Sequence, residues 1–174
     1  MNKTAYQIRN AFPEEFQEIG QLLVTVYSQL EGFPKPDDQP KYYELLSNIG
    51  VFDQKPNSEI IVACSGQGVI LGAVIFISDM HYYGSGGTAT LEKNAAGFRL
   101  LGVNNSARGT GVGKQLVEEC INRAKNKNLG QLIIHSTKSM QLAWEMYEKM
   151  GFNRAPELDF MQEDLAVFGF RYFL

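Results

Sequence analysis

Ser106-Ala107-Arg108-Gly109-Thr110-Gly111-Val112-Gly113-Lys114 sets three alternating glycines where an apolar run stops and an amphipathic stretch begins. Upstream, Phe98 to Val103 reads as an extended strand; downstream, Val112, Leu116, Val117, Cys120, Ile121 and Ala124 recur at helical spacing. The glycines are therefore a strand-to-helix joint. Glycine permits positive φ and leaves no Cβ between backbone and ligand. The first N–H groups of a helix lack internal partners, and the helix dipole adds partial positive charge there. Such a joint binds anions, phosphate above all.

Spacing excludes two common phosphate loops. A P-loop needs glycine where this chain has Arg108, and Ser or Thr where it has Gln115. A dinucleotide fingerprint counted from Gly109 or Gly111 ends on Lys114 or Leu116 instead of glycine. What remains is Arg-x-x-Gly-x-Gly, carried by Arg108, Gly111 and Gly113. Further on, a strand at Gln131 to His135 precedes a helix that ends in Tyr147-Glu148-Lys149-Met150-Gly151-Phe152, with Ala143 one turn before the tyrosine. Together, from Ala96 to Phe152, these segments resemble the GCN5-related N-acetyltransferases. One position departs: the family often has Asn seven residues before the tyrosine, where this chain has Met140.

The resemblance implies an α/β (α+β) acyl-CoA N-acyltransferase fold, with a mixed central sheet of about seven strands flanked by about four helices. Two central strands would splay, those ending at Val103 and spanning Gln131 to His135, with the pantetheine arm of acetyl-CoA in the gap. Leu101, Gly102 and Val103 would offer backbone groups to that arm. Arg108, Gly109, Thr110, Gly111, Val112, Gly113 and Lys114 would surround the pyrophosphate, and Ala143 and Tyr147 would also contact the cofactor. Tyr147 is implied to be the general acid for the leaving thiolate. A backbone N–H near Val103 would polarise the carbonyl. An amine of pKa near 10.4 must lose a proton before it attacks, and Glu92 and His81, in the long connection before the cofactor strand, are the candidate bases.

The 174 residues fit one domain, 1–174, of ordinary soluble composition, 44% hydrophobic and 20% charged. No apolar run reaches membrane-spanning length, and Met1 to Ala5 lack a signal-peptide core, so a cytoplasmic protein is expected. Cys64 and Cys120 lie in apolar runs and read as core thiols; with only His81 and His135 besides, no metal site is expected. A net charge of −3 and a pI of about 5.4 argue against nucleic acid as a partner.

Other elements follow from periodicity. A strand is expected at Ala5 to Phe12, and a helix opened by Pro13 with Phe16, Ile19, Leu22, Leu23, Val26, Tyr27 and Leu30 on one face. Lys41 to Ile49 is a short helix, and Glu59 to Cys64 and Val69 to Ser78 form a hairpin around Ser65-Gly66-Gln67-Gly68. The connection Asp79 to Asn94, with Gly84-Ser85-Gly86-Gly87, is long enough to be functional. Asn153 to Phe160 and Leu165 to Leu174 read as the closing strands. The apolar end of the last one would also suit strand pairing in a homodimer.

The expected activity is acetyl transfer to the primary amine of a small molecule by direct attack in a ternary complex. An acyl-CoA sensor without turnover and a protein N-terminal or lysine acetyltransferase are the alternatives. Acceptor-facing segments would be Glu31 to Pro40, the connection after Ser78 and the turn Asp159 to Asp164. Their carboxylates suit a cationic amine, and their aromatic residues an aromatic one or an amino acid.

Overall fold

Helical spacing of Ile19, Leu22, Leu23, Val26 and Tyr27 produces α1, Phe16–Ser28, with all five side chains buried. In the computed structural model, which describes residues 6–174, a 3-10 turn at Pro13–Glu15 leads into it. Glu15 fixes that turn by accepting the Phe12 N–H at 2.8 Å and pairing with Arg9 at 2.7 Å. The second helix, α2, is Pro40–Ser47. Gly20 sets how closely the two approach, since a Cβ there would stand 2.5 Å from the Ser47 carbonyl oxygen.

The remaining elements are β1 (Tyr6–Asn10), β2 (Ser58–Ser65), β3 (Ile70–Ile77), β4 (Ala95–Val103), α3 (Val112–Asn126), β5 (Gln131–Ser136), α4 (Gln141–Met150), β6 (Asn153–Arg154), β7 (Phe160–Gln162) and β8 (Leu165–Phe173). Ala5, included in the expected first strand, lies outside the described residues. Hydrogen bonding orders the strands β1-β2-β3-β4-β5-β8-β6, with β7 pairing β8. β4 and β5 run parallel while β1–β2 and β5–β8 run antiparallel, so the sheet is mixed as expected.

The chain divides into two compact units, each made of two separated stretches: residues to Ile75 with Leu100–Glu119, and Phe76–Arg99 with Cys120–Leu174. In the first, the β2–β3 hairpin closes with the Ser65 hydroxyl accepting the Val69 N–H at 3.1 Å, and Gly68 takes φ +81°. Its core is built on α1, α2 and β2, and Cys64 is buried with Arg9 donating to its sulfur at 3.4 Å.

In the second unit, β4 and β5 pair only over Ala95–Gly97 and Gln131–Ile133. β4 starts three residues earlier than the apolar run indicated, and it carries a left-handed residue, Leu100 at φ +58°, which breaks the pleat.

One expectation is corrected here. Asn153 to Phe160 is not one strand: Pro156 has no N–H to give a ladder, and Pro156–Leu158 forms a 3-10 turn between the short β6 and β7. β8 pairs with β5 on one side and, at Phe170 and Arg171, with β6 on the other. No helix among the described residues is long and apolar enough to cross a membrane.

Candidate active site

The glycine-rich joint has the geometry its sequence implies. Asn104 shapes its entry, its side-chain oxygen accepting from both the N–H and the hydroxyl of Ser106 at 3.0 Å. Gly109 and Gly111 take φ +76° and +89°. A Cβ on Gly109 would meet nothing within 4 Å, and one on Gly111 only the Tyr6 hydroxyl at 3.9 Å. The backbone here is thus open on the side a ligand would approach. Helical bonding starts with the Gln115 N–H on the Gly111 carbonyl at 3.0 Å, which leaves the N–H groups of Val112, Gly113 and Lys114 without partners inside the helix. Val112 is buried and anchors the turn, while Arg108 is exposed. Lys114 makes an exposed pair with Glu118 at 3.7 Å, weak enough to yield to a phosphate.

In the strand before the loop, the Leu101 carbonyl accepts the Tyr27 hydroxyl at 3.0 Å. Gly102 is buried against α1, where a Cβ would stand 2.7 Å from Leu23. Val103 is half-buried.

The Tyr-x-x-x-Gly-Phe pattern has a local cause. Gly151 sits at φ +103° beyond the end of α4 and donates its N–H to the Glu148 carbonyl at 3.1 Å, while Phe152 donates to the Tyr147 carbonyl at 2.9 Å. These two bonds are a Schellman cap, which requires a left-handed residue at the glycine and an apolar residue after it. Phe152 then packs on the ring of Tyr147 at 5.6 Å, so the cap that ends the helix also fixes the tyrosine. We expect Gly151→Ala to lower stability by about 1 kcal/mol, or a few degrees in Tm, because alanine pays for the left-handed conformation. A thermal melt indistinguishable from wild type would contradict this.

Tyr147 is 5% exposed, with Phe98, Phe152 and Phe170 around its ring at 5.8, 5.6 and 6.3 Å. Burial raises its pKa above the ordinary phenol value, and nearby Tyr83 and Cys120 raise it further. None of the hydrogen bonds among the described residues engages its hydroxyl. Ala143 is half-buried on the same helix. Leu142, next to it, is 76% exposed.

The two candidate bases lie in different surroundings. Glu92 is tied to Arg171 at 2.7 Å, and Arg171 is also held by Glu157 at 2.8 Å and Gln131 at 2.9 Å. Its carboxylate serves a structural network. His81 is exposed in a 3-10 turn, its backbone N–H on Asp79 and its ring edge-on to Tyr82 at 5.0 Å.

A different histidine is surrounded by polar groups. His135 lies on β5, two residues past the last β4–β5 pair. Its Nε2 is 2.8 Å from the Leu158 carbonyl, and its Nδ1 is 3.1 Å from the Tyr83 hydroxyl and 3.2 Å from the Ser85 hydroxyl. A carbonyl only accepts, so Nε2 carries the proton and Nδ1 accepts from the two hydroxyls. Phe160 meets the imidazole edge-on at 5.1 Å, and Arg99 donates to the Tyr83 carbonyl at 3.0 Å. Burial lowers the His135 pKa and pushes Tyr83 up to about 12. Gly86 and Gly87, both left-handed, let the loop close on Phe160, and Gly97 lets the Tyr83 ring lie across β4, where a Cβ would stand 2.7 Å from it. The only sequence signal for this cluster was the Gly-Ser-Gly-Gly run and the place of His135 at a strand end.

Asp159, one of the acidic residues assigned to the acceptor side, is held by Arg154 through two bonds of 2.9 and 2.7 Å. The pairing with Arg154 keeps its carboxyl below the usual range.

Acetyl-CoA can be tested against these residues. The left-handed Gly109 and Gly111 leave open the face a pyrophosphate would need. The hydroxyls of Ser136 and Thr137, where β5 ends, are buried with no hydrogen-bond partner, which is costly unless a bound polar group satisfies them. The first fits a phosphate, and the second a polar group able to hydrogen-bond, such as an amide.

Comparison with known proteins agrees. A search of curated proteins gives no significant match. Solved structures share the fold: an acetyltransferase of the GNAT family from Staphylococcus aureus Mu50 has a TM-score of 0.73 at 18% identity, over 98% of this chain and 99% of that one. A GCN5-related N-acetyltransferase from Kribbella flavida has a TM-score of 0.71 at 20% identity, over 98% of both chains. The PaiA N-acetyltransferase from Thermoplasma acidophilum, solved in complex with coenzyme A, has a TM-score of 0.70 at 16% identity, over 97% of this chain and 99% of that one. The profile of the acetyltransferase (GNAT) family matches residues 16–152, so the chain with this open glycine turn and capped tyrosine helix belongs to the GNAT family of acetyl-CoA-dependent N-acetyltransferases.

Proposed function

We propose that this enzyme transfers the acetyl group of acetyl-CoA to the primary amine of a small molecule, by direct attack within a ternary complex. The observation that carries the reading is the open, left-handed turn at Gly109 and Gly111 leading into the first N–H groups of α3, which have no partners within the helix. Arg108 to Lys114 hold the pyrophosphate. The backbone of Leu101, Gly102 and Val103 meets the pantetheine arm, and Ala143 lies against the cofactor.

Acetyl-CoA supplies the activated thioester; the chain supplies position and proton control. Tyr147 donates a hydrogen bond to sulfur as thiolate develops. An acceptor of small size is supported by the enclosed character of the polar cluster at His135, walled by Tyr83, Phe160 and Leu158. Among the acidic residues of the acceptor-side segments, Asp159 is engaged by Arg154, so recognition of a cationic amine falls to others, such as Glu31, Asp37 and Asp164.

The test is thermal unfolding with and without acetyl-CoA. At about 100-fold excess over Kd, mass action adds about 2.7 kcal/mol, a rise of about 5–10 °C for a chain of this size. An unchanged Tm at millimolar acetyl-CoA would refute cofactor binding, and thiol release independent of any added amine would refute transfer.

A further inference from the structure

We propose that Ser85 and His135 form the proton relay that takes the proton from the acceptor amine, with Ser85 touching the amine and His135 receiving the proton through it. This rests on the acetyltransfer reading above and names the base for it.

Three observations converge. The Leu158 carbonyl fixes the proton on Nε2 at 2.8 Å, so Nδ1 faces the two hydroxyls as an acceptor. Of those hydroxyls, Tyr83 is 1% exposed and cannot reach an acceptor molecule, whereas Ser85 is half-buried, in a loop of left-handed glycines, and can. Arg99 donates to the Tyr83 carbonyl at 3.0 Å, which holds the cluster in place on β4.

The step balances simply. As the amine nitrogen bonds to the thioester carbonyl carbon, its N–H becomes acidic and passes its proton to Ser85 Oγ. The Ser85 proton moves to His135 Nδ1, and the carbon–sulfur bond breaks with Tyr147 hydrogen-bonded to the departing sulfur. The imidazolium then returns its proton to solvent by the same hydroxyl. A free ammonium near 10.4 would not surrender its proton to an imidazole of ordinary or lowered pKa. The acceptor therefore enters as its minor neutral form, its first proton lost to solvent, and the relay takes the second proton during bond formation. The Leu158 carbonyl stabilises the imidazolium by accepting from Nε2–H. Tyr83 donates to Nδ1 in the resting state and shares that site with Ser85.

The charged and titratable groups facing the imidazole are Tyr83 from the connection after β3, Arg99 from β4 and Asp159, itself held by Arg154, from the segment before β7. Desolvation and Arg99 lower the His135 pKa, while the Leu158 carbonyl and Asp159 oppose that. The base must be neutral to work, so a lowered pKa keeps it competent through neutral pH, and activity falls only as pH drops through that value below 6.5.

The experiment measures thiol release from acetyl-CoA with tyramine, spermidine and L-phenylalanine amide as acceptor probes, from pH 5 to 9. At saturating acceptor, wild type is expected to lose kcat on the acid side with one titrating group below 6.5. His135→Gln is expected to lower kcat by about 10²-fold at pH 7 and abolish that limb. Ser85→Ala is expected to lower kcat about tenfold or more, with Ser85→Thr restoring it, and to leave the acetyl-CoA shift in Tm intact. Activity of both His135→Gln and Ser85→Ala within threefold of wild type, with the acid limb unmoved, overturns the relay alone. Absence of an acetyl-CoA shift in the wild type overturns the acetyltransfer reading and the relay with it. Should His135→Gln not fold, 15N NMR of the wild-type imidazole decides: protonated Nε2 with a pKa that moves in Ser85→Ala supports the relay, and protonated Nδ1 overturns it.

Discussion

Tyr147→Phe is expected to turn over about 10²-fold more slowly than wild type with acetyl-CoA affinity unchanged, a loss of about 2.7 kcal/mol of transition-state stabilisation. The ring contacts with Phe98, Phe152 and Phe170 survive the substitution, so the helix and its cap keep their packing and only the hydroxyl is lost. Magnitudes define what that hydroxyl can do. With ordinary values near 10 for a phenol and 8.5 for a thiol, full proton transfer to thiolate is uphill by about 2 kcal/mol. Burial raises the phenol further and makes transfer harder still, so the hydroxyl works as a hydrogen-bond donor to developing charge. The same shift keeps Tyr147 protonated beyond pH 10, so no alkaline loss of activity below that pH comes from this group. Steady-state kinetics on the purified variant decide the point; a loss under threefold would remove Tyr147 from the chemistry.

Gly111→Val is expected to abolish acetyl-CoA binding, raising Kd by at least about 100-fold, which is about 2.7 kcal/mol. Two effects add. Gly111 stands at φ +89°, where a β-branched residue is an outlier, so the turn must rearrange. A side chain that did fit would project from the open backbone face into the position of the pyrophosphate. The protein itself has room, the nearest atom to a Cβ being the Tyr6 hydroxyl at 3.9 Å, so the fold survives with a Tm only a few degrees lower. Calorimetric titration with acetyl-CoA measures the loss. Affinity equal to wild type would mean that the turn does not cradle the phosphates.

Local order carried much of the fold into the sequence. The glycine turn, α1 with its stripe of buried apolar side chains, and the β2–β3 hairpin depend on residues within one or two turns of one another, and their periodicity declares them. Tyr147 was legible for the same reason, since its place is set by a Schellman cap of six consecutive residues. Tertiary structure decided what distant residues do to each other. Arg171 claims Glu92 from 79 positions away, turning a candidate base into a structural partner. Pro156 cuts an expected strand short because a ladder needs an N–H that proline lacks. His135 meets Ser85 from 50 positions away, Tyr83 from 52 and Leu158 from 23. Sequence alone identified the left-handed glycine turn and the capped tyrosine helix, because short-range conformational preference builds both. The polar surroundings of His135 were decided by packing, because they depend on distances that only the folded chain sets.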